Sequence, residues 1–165
     1  TNDDELAEKC KSIRFHGTTE KDRYHSQMIG LNGRLDSIQA AVLIEKLKIF
    51  DNELKMRKKI DKFYKDILNT SQHHPKNYQS AHALFSIIVE SSQNRDKIIS
   101  RLNQQGIPSA IYYKYPVHLM QAFKYLGYSR GDFPIAEKLS STIFSIPMHS
   151  YLTTAEQKKI LKFIV

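Results

Sequence analysis

Residues 34–68 read RLDSIQAAVLIEKLKIFDNELKMRKKIDKFYKDIL, the greater part of a run between Gly33 and Pro75 that holds neither glycine nor proline. Leu43, Leu47, Phe50 and Leu54, then Ile60, Phe63 and Ile67, recur at steps of three and four, the spacing that stacks side chains on one face of a helix. The pattern predicts one long helix, or two nearly collinear ones, over about 35–69. That length exceeds the usual globular helix, so the element is expected to connect two bodies or to span an interface.

Upstream, Asp3 to about Phe15 runs from acidic residues through Leu6, Cys10 and Ile13 to Lys and Arg, and stops at His16-Gly17. This predicts a helix whose charges match its macrodipole and whose terminator is glycine, with Cys10 a small buried hydrophobe on its apolar stripe. Residues 17–33, polar and carrying Gly17, Gly30 and Gly33, read as a loop.

Downstream of Pro75 the segments shorten. Ala83-Leu-Phe-Ser-Ile-Ile-Val89 has strand composition, a helix is expected near 94–105 ending at Gly106, and 107–113 reads as a second strand, which together make a β-α-β unit. A short helix over 117–127 stopped by Gly127 follows. Another, capped by Asp132 with Pro134 in its first turn, leads to an edge strand at Phe144-Ser-Ile-Pro147. Thr153-Thr-Ala-Glu156 has the capping-box spacing that opens a last helix. The reading is α+β, in three parts: 1–33, 34–74 and 75–165.

Composition narrows the function classes. With 165 residues, 41% hydrophobic and 25% charged, the chain can build a core but not two ordinary domains. No apolar run approaches a membrane span, and TNDDELAEK at the start is too polar for a signal peptide. One cysteine excludes an internal disulfide, no CxxC or HxxxH spacing offers a metal site, and a cytoplasmic location fits best. Because the chain begins with Thr1 rather than Met, it reads as a processed product or a piece of something longer. The formal charge of +8 is spread thinly. Its densest run, Lys55, Arg57, Lys58 and Lys59, falls on the long helix and reads as a solvated face, so nucleic-acid binding is the minor alternative and no nucleic-acid partner is expected.

Two constellations carry chemistry. Gly30-Leu-Asn-Gly-Arg34 stands directly before the long helix, where unpaired N–H groups, an amide and a guanidinium can hold a phosphate or carboxylate; the alternative is an ordinary N-cap beside a surface arginine. Ile111-Tyr-Tyr-Lys-Tyr-Pro-Val-His118 sets three tyrosines, a lysine and a histidine at the exit of the expected strand, either as a polar lip around a ligand or as a half-buried strand end. His16, His25, His82 and His149 are scattered and show no triad pattern.

Taken together, Gly30-Leu-Asn-Gly-Arg-Leu-Asp-Ser-Ile-Gln-Ala-Ala41, Lys46-Leu47 and Arg57 resemble the DegT/DnrJ/EryC1/StrS family of sugar aminotransferases, pyridoxal-phosphate enzymes of fold type I. The resemblance continues through Gly106-Ile-Pro-Ser-Ala-Ile-Tyr-Tyr113, Pro116-Val-His-Leu-Met-Gln121, Leu126-Gly-Tyr128, Gly131-Asp-Phe-Pro134 with Ala136-Glu137, Ser145-Ile-Pro-Met148, and Leu152-Thr153 with Glu156-Gln157. The opening Thr1-Asn-Asp-Asp-Glu-Leu6, with Ile13-Arg14 and His16-Gly17, looks like the family's segment after the active-site lysine. The blocks cover nearly the whole chain in the family's order.

The resemblance implies amino transfer, usually from glutamate, to a nucleotide-linked keto sugar in surface polysaccharide or glycan biosynthesis, with pyridoxal 5'-phosphate as cofactor and a homodimer as the assembly. It places this chain as the small C-terminal domain, the long connecting helix and a short tail of the large domain. The family's Schiff-base lysine has nothing here to align to, so the chain alone is expected to be inactive; the alternative is a non-catalytic truncated module for dimerisation or ligand binding. Asn32 and Arg34 match positions that reach the cofactor phosphate or substrate of the neighbouring subunit. Tyr112, Tyr113 and His118 match the segment lining the sugar-nucleotide side of the cleft. The chain departs from the family at Ala81-His-Ala-Leu-Phe85, where Leu84 and Phe85 remove an amide and a hydroxyl that many members carry, which bears on sugar preference.

Overall fold

The computed structural model describes residues 1–68 and 77–165. They form two compact units, Thr1–Ile49 and Phe50–Val165, each described by itself. The expected boundary at 74/75 lies outside the described residues.

The first unit holds α1 (Asp4–Arg14) and, in 37–49, the start of α2 (Ser37–Leu68). Asp3 caps α1 by accepting from the Leu6 N–H at 2.9 Å, Asp4 and Glu5 lie in the first turn, and Lys11 and Arg14 in the last, as the macrodipole favours. The chain leaves the helix through left-handed His16 and Gly17, with the Gly17 N–H on the Ser12 carbonyl at 2.8 Å. The stripe expected to be covered is not: α1 buries none of its residues, Leu6 and Ile13 are exposed, and so is Cys10. The periodicity marks a helix but not a buried stripe, because the whole hydrophobic core cluster belongs to the second unit.

That core gathers Ile60 and Tyr64 of α2 with Phe85, Ile87, Ile98, Leu102, Ile107, Phe144, Ile146, Leu152, Ile160 and Leu161. The elements after α2 are β1 (Phe85–Ile88), α3 (Ser92–Gln104), α4 (Pro134–Thr142), β2 (Ile143–Ile146) and α5 (Thr154–Lys162), of which all but α4 supply the cluster. Tyr64 is fully buried; its ring meets the Phe85 ring edge-on at 5.0 Å and its hydroxyl donates to the Pro147 carbonyl at 3.3 Å. Burial, assisted by the charge of Glu156, pushes the Tyr64 phenol up to about 12. Glu53, also buried, accepts from the Tyr151 hydroxyl, tying α2 to the 147–153 loop.

The β-α-β expectation is corrected. β1 pairs with β2 antiparallel, Phe85 opposite Ile146 and Ile88 opposite Ile143. Residues 107–113 do not form a strand; Ala110 alone exchanges two backbone hydrogen bonds with Ser145, at 3.0 and 2.7 Å. Pro108 cannot donate to a ladder, and turns take over beyond Ala110. The edge-strand reading of 144–147 is corrected with it: β2 has β1 on one side and Ala110 on the other, and Phe144, Ser145 and Ile146 are all buried. The short helix expected over 117–127 is two 3-10 segments, Val117–Leu119 and Gln121–Leu126, stopped by left-handed Gly127. Asp132 does not cap α4, whose cap position is Phe133; its carboxylate instead accepts from the Ser129 N–H at 2.8 Å and closes the turn before the helix. Lys55, Lys58 and Lys59 are exposed as expected, while Arg57 is half-buried. Among the described residues no helix is long and apolar enough to cross a membrane.

The capping box at Thr153 forms in full, with the Thr153 hydroxyl accepting from the Glu156 N–H and the Glu156 carboxylate accepting from the Thr153 N–H at 2.8 Å. The Thr153 hydroxyl, then its N–H, hold the Glu156 carboxyl below the usual glutamate value. A lowered folded value stabilises the fold above the unfolded-state pKa, and that contribution is lost as the pH falls through the lowered value. Thr153→Ala is expected to cost about 1 kcal/mol at neutral pH and to flatten this part of the acid limb. Urea midpoints measured between neutral and acid pH check both.

Candidate functional site

The Gly30–Arg34 segment hooks backbone to backbone onto the end of α1: the Leu31 N–H donates to the Ile13 carbonyl at 2.8 Å, His16 to Leu31 at 3.0 Å and Gly33 to Arg14 at 2.9 Å. This sets Asn32 opposite Phe15 in an antiparallel bridge. The approach requires glycine at both crossing points. A Cβ on Gly30 would lie 2.1 Å from the Gly17 nitrogen, and one on Gly17 would lie 1.8 Å from the Met28 carbonyl oxygen.

On this platform the Arg34 Nε–H donates to Asn32 Oδ1 at 2.9 Å, and the guanidinium lies over the Phe15 ring, 5.1 Å from its centroid. Arg23 approaches the same ring at 6.0 Å. Asn32 and Arg34 are exposed. With one hydrogen bond already on its oxygen, the Asn32 amide presents its NH2, and Arg34 presents its remaining N–H groups: a donor-rich face suited to phosphate or carboxylate. A cavity of about 860 Å³ in the same unit is lined by Arg14, Phe15, Arg23 and Met28 among others, but not by Asn32 or Arg34. In the sequence Phe15 is only the apolar residue at the end of the first helical pattern; nothing there marks it as the platform for Arg34.

The second group of candidates lies in the second unit. Tyr112, Tyr113 and Tyr115 are exposed at 57, 69 and 62% on the turn-rich stretch between Ala110 and Val117, with the Lys114 ammonium over the Tyr115 ring at 5.9 Å. His118 differs from them. Its side chain is only 8% exposed, Nε2 lies 3.1 Å from Glu137 Oε1, and its ring packs against Phe133 at 4.7 Å. The same Glu137 oxygen accepts from the Gly131 N–H at 2.7 Å. That N–H first, then His118, hold the Glu137 carboxyl below the usual glutamate value. Glu137 went unremarked as a site residue in the sequence; the available signal was a carboxylate in the first turn of a proline-started helix.

A third cluster was also missed. Buried Asp61 pairs with Lys65 Nζ at 2.8 Å and His82 Nδ1 at 3.3 Å, and left-handed His82 borders a groove of about 660 Å³ along α2. At the departure noted above, Phe85 has joined the core and Leu84 is half exposed. Among the described residues no group of three or more His, Cys, Asp or Glu could hold a metal.

The model of the DegT/DnrJ/EryC1/StrS aminotransferase family matches residues 1–165, and the chain belongs to that family. It is 34% identical over 97% of its length to a UDP-2-acetamido-2-deoxy-3-oxo-D-glucuronate aminotransferase of Pseudomonas aeruginosa, covering 44% of that protein. It is 36% identical over 99% of its length to a pleiotropic regulatory protein of Geobacillus stearothermophilus, covering 45% of it. A crystal structure of a DegT DnrJ EryC1 StrS aminotransferase from Brucella abortus superposes with a TM-score of 0.82 at 44% identity, over 99% of this chain and 44% of that one. The chain thus spans less than half the length of these relatives, corresponds to their C-terminal portion, and has the α+β architecture of that part of a fold type I aminotransferase.

Replacing Gly30 by alanine forces the Cβ into the backbone of His16 and Gly17. The expected result is faster amide exchange at His16, Leu31 and Gly33 with no change in 85–88 or 143–146, read by hydrogen–deuterium exchange. Unchanged exchange at those three amides would show that the platform tolerates the Cβ.

Proposed function

We propose that this chain is the C-terminal part of a pyridoxal-phosphate-dependent aminotransferase that moves an amino group, from glutamate, to a keto sugar linked to a nucleotide, in surface polysaccharide or glycan biosynthesis. The family match along residues 1–165 carries the reading. The named substrate of the Pseudomonas relative is of the same kind. In this reading 1–33 is the tail of the large domain, 34–74 the connecting helix and 75–165 the small domain, and the enzyme is a cytoplasmic homodimer. Exposed Ile29, Leu31, Leu35, Ile38, Val42 and Leu47 support an assembly that covers them.

Pyridoxal phosphate, when bound, supplies the electron sink that makes amino transfer feasible. The residues present fit its phosphate: Asn32 and Arg34 form a hydrogen-bonded, donor-rich pair, the Asn32 oxygen already accepting from Arg34. Their part is to bind and orient an anion, cofactor phosphate or substrate phosphate, for the neighbouring subunit. Tyr112 and Tyr113 offer aromatic faces and hydroxyls to the sugar nucleotide. His118, with its ring enclosed and Nε2 engaged, belongs to the same segment and serves that side of the cleft.

In the full-length enzyme, Asn32→Ala and Arg34→Ala are each expected to weaken cofactor or nucleotide-sugar binding by roughly 10- to 100-fold, the loss of a charge-assisted hydrogen bond. Equilibrium binding of each ligand checks this, and affinities within about twofold of the parent for both ligands remove these residues from the site. The 165-residue chain by itself, incubated with pyridoxal phosphate and reduced with borohydride, is expected to show no adduct at any single defined lysine by peptide mass mapping. An adduct confined to one lysine would establish a self-sufficient catalyst instead.

A further inference from the structure

The exposed tyrosines lie on an arch, residues 111–117, with two feet. The first is the Ala110–Ser145 bridge, two backbone hydrogen bonds at 3.0 and 2.7 Å. The second is His118, whose Nε2 lies 3.1 Å from Glu137 Oε1 and whose ring packs on Phe133. Ser145 and Glu137 belong to one continuous piece of chain, since α4 ends at Thr142 and β2 begins at Ile143. This piece is firmly held. Arg95, buried on α3, donates from Nη1 to the Ser140 carbonyl at 3.1 Å, and β2 pairs with β1 through the core. Between its feet the arch is open: Ile111 packs against the core, but Tyr112, Tyr113, Lys114, Tyr115 and Val117 are exposed.

From these contacts we infer that Glu137 is a positioning residue for the aromatic arch, fixing through His118 the pose in which Tyr112 and Tyr113 meet the sugar nucleotide. The inference rests on the proposed reading of the arch as the sugar-nucleotide side of the cleft. Its mechanical half stands apart from that reading. One carboxylate oxygen gathers three pieces of chain: His118 at the foot of the arch, the Gly131 N–H at 2.7 Å in the turn before α4, and the first turn of α4 that carries it. The His118 ring, 4.7 Å from Phe133, which itself meets Tyr128 at 5.1 Å, completes an aromatic packing that positions the imidazole but gives it no polar partner. The carboxylate is therefore the polar group that fixes the rotation of the imidazole. Without it the arch keeps its Ala110 foot and the Ile111 packing but loses the polar hold at its far end.

The test uses Glu137→Ala, Glu137→Gln and His118→Phe in the full-length holoenzyme. For Glu137→Ala, amides in 111–119 are expected to exchange about tenfold faster, the scale of a lost charge-assisted hydrogen bond, while those in 85–88 and 143–146 keep their rates. KM for the nucleotide sugar is expected to rise about five- to tenfold, with kcat and the KM for the amino donor within about twofold. Glu137→Gln, whose amide oxygen can still accept from both His118 and Gly131, is expected to restore most of both effects. His118→Phe keeps ring packing and removes the nitrogen, so it reads the clamp from its other end and should match Glu137→Ala if the carboxylate variant folds poorly. Unchanged exchange in 111–119 with both the alanine and phenylalanine variants overturns the clamp. Faster exchange with an unaltered nucleotide-sugar KM overturns the arch as the substrate side while leaving the clamp in place.

Discussion

The second unit depends on one strand having neighbours on both sides. β2 is four residues long, too short to be stable as an isolated ribbon, yet Phe144, Ser145 and Ile146 are buried together. Ser145 spends its backbone N–H and carbonyl on Ala110, while the register of β2 against β1 sets its hydroxyl 2.8 Å from that of Ser86. A polar residue at the centre of the core is tolerable because its hydrogen-bonding groups find partners there. Phe144 and Ile146 join one buried cluster with Ile60 and Tyr64 of α2 and Ile160 and Leu161 of α5.

What could be read from the sequence divides along the same line between local and long-range causes. Asp3, the glycine at the end of α1, Pro134 at the head of α4 and the Thr153–Glu156 box act within a turn of where they stand, and the helices begin or end close to them. Strand partnership has no such local signature. Residues 107–113 have strand composition, but a strand needs donors and a vacant edge, and Pro108 withholds the first while the chain turns away after Ala110. Cys10 fails for a related reason: periodicity reports that a helix has an apolar side, not that anything within its own unit covers that side.

The candidate site was legible to the same degree. Asn32 and Arg34 are two residues apart, and their pairing follows from that closeness once a backbone bridge fixes the segment. The platform beneath them was not legible, because the meeting of Phe15 with Arg34 requires Gly17 and Gly30 to cross at backbone contact, and no spacing rule announces a crossing. Of the two readings of the tyrosines, a polar lip or a half-buried strand end, the strand is absent and the rings are exposed. His118 was read with them because it is near in sequence and chemically apt, yet its partner Glu137 lies 19 residues on.

The contrast between His118 and its tyrosine neighbours carries an argument about how this surface keeps its shape. Exposed aromatic rings make effective contacts for a sugar nucleotide only if their backbone is already ordered, since each residue fixed on binding costs conformational entropy. An arch that drew its order from its own side chains would have to bury them and lose the face it presents. Here the tyrosines are spared that task by backbone bonds at Ala110, the packing of Ile111 against the core and an enclosed imidazole–carboxylate contact at His118. The division leaves the tyrosines free to be chosen for what they touch, because nothing in the core requires them to be tyrosine.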